Sequence, residues 1–108
     1  MPMYLHQWRY KDDQVKRMLA EETERADDVR NATEAFGGTL HHFFFCLGDY
    51  DGMAIAEFPD NDTALACLMA QYTLGRVHGI RSTSLVTPEG IAQAKKMARE
   101  VLGIEGQD

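Results

Sequence analysis

Cysteine, proline and tryptophan are all scarce in this chain, numbering two, three and one among 108 residues. Cys46 and Cys67 lie far apart, with no metal-ligand spacing around either. That excludes a disulfide framework or a zinc finger and leaves two reduced, mostly buried thiols as the expectation. Positive charge is thin as well. Eleven Lys and Arg stand against seventeen Asp and Glu, for a formal net charge of -6, and basic residues gather no further than the pairs Lys16-Arg17 and Lys95-Lys96. A nucleic-acid partner needs a basic stripe to displace counterions from phosphates, so none is expected. Apolar runs such as residues 43–47 fall far short of the roughly 20 residues that cross a bilayer, so no membrane partner is expected either. The N-terminal residues hold no charged segment followed by an apolar stretch, which reads as cytoplasmic rather than secreted. Also missing are a Gly-x-Ser-x-Gly elbow and any glycine-rich nucleotide loop, so no cofactor is expected.

What remains is an ordinary globular composition, 44% apolar and 26% charged. It fits a single domain over residues 1–108, with the last few residues from 103 onward as a frayed tail. Area scaling predicts roughly 6,000 Å² of accessible surface when folded, against roughly 18,000 Å² unfolded.

Residues 3–10 are rich in aromatic and aliphatic side chains and read as a strand. A helical pattern runs from Asp12 to Phe36, with Val15, Leu19, Ala26, Val29 and Phe36 on one face. Glu22 interrupts that stripe and Thr23 can cap a fresh start, so a break is expected over residues 20–24. Acid-then-base pairs four apart (Asp12/Lys16, Asp13/Arg17, Glu21/Arg25) line the other side. Gly37-Gly38 ends the helix. Residues 39–47 and 52–58 read as two strands joined by the turn 48–51, and Pro59 stops the second of them. Asp60 caps a helix over 61–74, with Leu65, Leu68, Met69 and Tyr72 on one face. Residues 76–86 form a fourth strand with a bulge expected near Gly79. Thr87, Pro88 and Glu89 are cap, first-turn proline and first-turn acid of a last helix that buries Ile91, Ala94, Ala98 and Val101.

The order is βαββαβ plus a C-terminal helix. Right-handed crossovers make this the α+β, ferredoxin-like split βαβ arrangement, a four-stranded antiparallel sheet with helices on one face. The other face then has no cover of its own. Both alternating sets of the second strand are large and apolar: Phe43, Phe45 and Leu47 on one side, Leu40, Phe44 and Cys46 on the other. A second copy of the chain is the expected cover, because a bare patch of that size is unusual on a monomer.

The stretch Gly48-Asp49-Tyr50-Asp51-Gly52-Met53-Ala54-Ile55-Ala56-Glu57-Phe58-Pro59-Asp60 resembles the signature of the GYD-domain family. Met1-Pro2-x-Tyr4, Gly37-Gly38 and Leu74-Gly75, in that order, resemble it too, so the likeness spans roughly residues 1–100. The resemblance implies a bacterial or archaeal protein with a dimeric α+β barrel, in which two sheets enclose a central space. Members mostly have no assigned activity, and the resemblance transfers no catalytic residue.

The candidate site comes from this chain's own hairpin. A four-residue loop at 48–51 sets Leu47 across from Gly52, which puts His42 opposite Glu57, Phe44 opposite Ile55 and Cys46 opposite Met53 on the uncovered face. On the first strand Tyr4, His6, Trp8 and Tyr10 are the bulkier set and are assigned to the helices, so Gln7 and Arg9 join His42, Glu57 and Phe44 in the central space. An imidazole beside a carboxylate can anchor a ligand or move a proton. His41 and His42 point to opposite faces of a regular strand and cannot share a metal, so no metal site is expected. Two functions fit: a homodimeric binding or accessory module for a small, partly apolar molecule, or a cofactor-free monooxygenase, decarboxylase or isomerase acting in the same space.

Overall fold

The computed structural model describes residues 1–21 and 24–105. Its first strand, β1 (Met3–Tyr10), alternates as its pleat requires. Tyr4, His6, Trp8 and Tyr10 face the helices, and Leu5, Gln7 and Arg9 face away. The helical stretch that follows is broken into α1 (Asp12–Ala20) and α2 (Arg25–Ala35), the break falling where it was expected; Glu22 and Thr23 lie outside the described residues. Gly37 takes φ +77° past the end of α2, the left-handed turn that glycine adopts without strain. β2 (Thr39–Phe45), β3 (Gly52–Glu57), α3 (Asn61–Thr73), β4 (Val77–Leu85) and α4 (Pro88–Leu102) complete the chain. Asp60 Oδ1 accepts from the Thr63 backbone at 2.7 Å to start α3, and Thr87 Oγ1 accepts from the Gly90 backbone at 3.0 Å to start α4.

The sheet order is β2-β3-β1-β4 with every neighbouring pair antiparallel, so β3 sits between the two strands of the first βαβ unit. The α+β, split βαβ expectation is met. α2 and α3 cover one face over a core of Trp8, Tyr10, Ala54, Ala56, Phe58, Ala64 and Cys67.

Three expectations about packing are corrected. Val15 and Leu19 of α1 are exposed, Leu19 at 86%, while Gln14 and Arg25 are buried in their place. The reason is a polar clasp: Arg25 holds the Glu21 carboxylate through Nε and Nη2 at 3.0 Å and the Gln14 amide oxygen at 3.1 Å, and its guanidinium lies 5.7 Å from the Tyr10 ring centre. In α3 the small side chains Ala64 and Cys67 turn inward with Leu68 half-buried beside them, Leu65 and Met69 turn to solvent, and Tyr72 reaches the β4 edge, its hydroxyl accepting from the Ile80 N–H at 2.8 Å. In α4 nothing is buried, Ile91 and Val101 included.

That last helix stands away from the sheet and gives the molecule extents of 60 × 29 × 19 Å. The radius of gyration is 17.5 Å, where a chain of this length ordinarily collapses to about 13 Å.

The hairpin register is corrected as well. The ladder runs Phe45–Gly52, Phe44–Met53, Phe43–Ala54 and His42–Ile55, two residues displaced from the expected pairing. β2 ends at Phe45 and β3 starts at Gly52, so residues 46–51 join them, and within that connection Cys46 donates its N–H to the Asp51 carbonyl at 2.9 Å. A bulge between Leu40 and His42 then restores Leu40 to Ala56 and Thr39 to Glu57. A shift of two preserves the faces, so Phe43 and Phe45 remain on the helix side and Phe44 and His42 on the open side. The bulge moves Leu40 the other way, onto the helix side, where it packs in the core.

Candidate functional site

On the open face the expected residues fall into successive rows. Phe44, Met53, Gln7 and Arg81 form one row across the four strands, and His42, Ile55, Leu5 and Thr83 form the next. With strands about 4.8 Å apart, Phe44 and Gln7 are about 10 Å from one another. Glu57 lies in a third row beside Met3 and Leu85. Arg9 stands beyond Gln7, opposite Gly79, on a shallow recess shared with Tyr50, His78 and Arg81.

The predicted His42–Glu57 pair does not form. His42 faces Ile55 and stacks on Phe44, with ring centres 6.3 Å apart and planes 13° from parallel. It is His41, the bulged residue, whose Nε2 lies 2.9 Å from Glu57 Oε1. The extra residue turns His41 toward the same face as its neighbour, which a regular strand would forbid. The imidazole–carboxylate contact therefore exists with the adjacent histidine in the role.

The acidic turn before β3 has a structural task. The Asp51 backbone N–H donates to the Trp8 carbonyl at 2.8 Å, and its Oδ2 accepts from the Tyr10 N–H at 2.8 Å. Asp51 thus extends the ladder past the end of β3. Gly52 lies directly against the Trp8 indole, where a Cβ would meet ring atoms at 2.6 Å. Tyr50 reaches across the open face, its hydroxyl accepting from Arg81 Nη1 at 3.4 Å.

Among the described residues, no three His, Cys, Asp or Glu side chains converge on a point where a metal ion could sit.

The helix side holds a feature that periodicity did not reveal. A cavity of about 130 Å³ opens between the sheet and the pair α2 and α3, walled mainly by apolar groups. His6 and Arg25 are the buried polar residues on its wall, with Thr33. His6 Nδ1 lies 2.7 Å from Ser82 Oγ, and burial lowers its pKa to about 4, so the ring is neutral near pH 7. Burial also pushes the Cys67 thiol up, which keeps it protonated and unreactive. The signal for this cavity lay in residue sizes: among the helix positions that line it, Ala32, Thr33, Ala64 and Cys67 are small, and the sheet opposite carries the large ring of Trp8.

A family model, the GYD domain, matches residues 4–98. No curated protein matches the chain.

Proposed function

The chain belongs to the GYD-domain family, and on that footing we propose that it is a homodimeric binding module. Two open sheet faces close around a small, partly apolar molecule. The observation that carries this is the uncovered face itself. Leu5, Met53 and Ile55 are only half-buried, and Phe44 is 54% exposed at their edge. The whole surface supports the same reading. It measures 7799 Å², about 1,800 Å² more than the roughly 6,000 Å² expected of a folded chain this size. A stable interface removes about 800 Å² from each partner, so the excess is more than enough surface to supply one. Within the enclosed space Phe44 offers a ring to stack on. Gln7 donates and accepts through its amide, Arg9 brings a cation, and His42 and Glu57 supply further polar contacts.

Light scattering on the full chain should return twice the monomer mass at micromolar concentration, and native mass spectrometry should find a small molecule retained by the dimer. A monomer would overturn the proposal. The His41–Glu57 contact favours one second reading, a cofactor-free enzyme in the same space, because a carboxylate that orients an imidazole is the arrangement of a general base. A retained molecule recovered chemically unchanged after incubation in air would leave binding as the whole activity.

A further inference from the structure

We propose that the cavity between the sheet and α2 and α3 is a second, separate binding site. It takes a ring-sized, uncharged, mostly apolar molecule that carries one hydrogen-bonding oxygen, a phenol in chemical class. Each protomer holds such a site by itself, so the proposal does not depend on the dimer.

Size sets the first limit. A cavity of about 130 Å³ is close to the engineered cavities of about 150 Å³ that take up benzene. The space also follows from how the helices are turned. α3 carries Leu65 and Met69, either of which would fill it, yet these point to solvent, while Ala64 and Cys67 face the sheet and half-buried Leu68 forms part of the wall. α2 likewise offers Ala32 and Thr33. The small groups Ala32, Thr33, Ala64 and Cys67 leave a slot against the sheet, and Val29, Leu68 and Leu74 complete its apolar wall, which suits a flat guest.

The polar residues set the second limit. Arg25 is 6% exposed and already holds Glu21 and Gln14 through Nε and Nη2. Its charge is met by the Glu21 carboxylate, so the wall makes no demand for an anion. Its Nη1 makes no hydrogen bond among the described residues, which leaves donor capacity for an oxygen on the guest. His6 adds a neutral ring whose Nδ1 is engaged by Ser82. The wall's other charged residues, Asp28 and Arg76, lie 3.9 Å from one another and answer each other, so a charged guest would meet no unmatched charge to offset its desolvation.

The chain contains a single tryptophan, and Trp8 is part of this wall, so its fluorescence reports on the cavity directly. Titration of the full chain with phenol should give a saturable change in Trp8 emission, and benzoate, of similar size but charged, should bind at least tenfold more weakly. Ala32→Leu narrows the slot from α2 and should weaken phenol at least tenfold while keeping or raising the melting temperature. Cys67→Met narrows it from α3 and serves if the first variant fails to fold. Amide and side-chain NMR shifts caused by phenol should centre on His6, Thr33 and Cys67. No saturable response, a response that survives both narrowing substitutions, benzoate binding as tightly as phenol, or shifts centred instead on Phe44 and Ile55 would each overturn the proposal.

Discussion

His6 is a buried base with one partner, and its environment makes a definite statement about pH. Its pKa falls from 6.5 to about 4 because burial disfavours the charged ring. The unfolded chain then binds the extra proton between those values, so the native state loses stability as pH drops from 6.5 toward 4 and keeps it above 6.5. The loss amounts to about 3 kcal/mol. Urea denaturation at a series of pH values should show that slope, and His6→Gln should flatten it. Gly52 illustrates a different constraint. Its backbone angles suit any residue, but the Trp8 ring leaves no room for a Cβ. Gly52→Ala should cost about 1–3 kcal/mol, since the indole is pinned in the core and cannot retreat. Equilibrium unfolding of the purified variant measures this directly.

Elements were legible where local chemistry decides them. The sequence pattern and the structure agree on β1 to the residue, Asp60 and Thr87 cap α3 and α4 as their side chains predict, and Gly103 ends α4 at φ +70°. Each of these rests on a side chain acting on its own neighbourhood. The hairpin register was less legible, because nothing in two consecutive histidines says which one the ladder will skip. The bulge at His41 moved the carboxylate contact one residue along and carried Leu40 to the opposite face. Helix orientation was hidden for another reason. Periodicity tells which residues share a stripe, and in α3 Leu65 and Met69 of that stripe face solvent while Ala64 and Cys67 take the buried positions against the sheet. The cavity was invisible for that same reason. The ion pairs show the limit of spacing too: of the three acid-then-base pairs, Glu21–Arg25 closes among the described residues, where burial of Arg25 demands a partner. α4 offers a direct check on how its stripe is used. Val101 is 87% exposed, so Val101→Glu should leave the stability of an isolated chain within about 0.5 kcal/mol. In the proposed dimer the same substitution should raise the dissociation constant at least tenfold, as followed by light scattering upon dilution.

The molecule as a whole is too long and too exposed for its size. Surface and radius of gyration both exceed what a chain of this length needs, and the excess lies in two places, the open sheet face and α4. Both expose large apolar side chains, Phe44 on the sheet and Ile91, Met97 and Val101 on α4, and both belong to parts of the sequence whose patterning anticipates burial. Ile55→Glu, at the centre of the open face, should therefore convert the dimer to monomer without changing the far-UV circular dichroism spectrum. Aggregation of wild-type chain on dilution, rather than a clean monomer–dimer equilibrium, would count against a single two-fold partner.

The capping of α4 at both ends by its own residues, Thr87 in front and Gly103 behind, has one more consequence. A helix that owes its boundaries to itself can form and melt without disturbing the sheet. A lone helix of this length is nevertheless only marginally stable in water. Its amide protons should therefore exchange with solvent quickly in dilute protein and slowly in concentrated protein, as a second copy comes to shelter them. Those of β1, held between two other strands, should exchange at a rate much less sensitive to concentration.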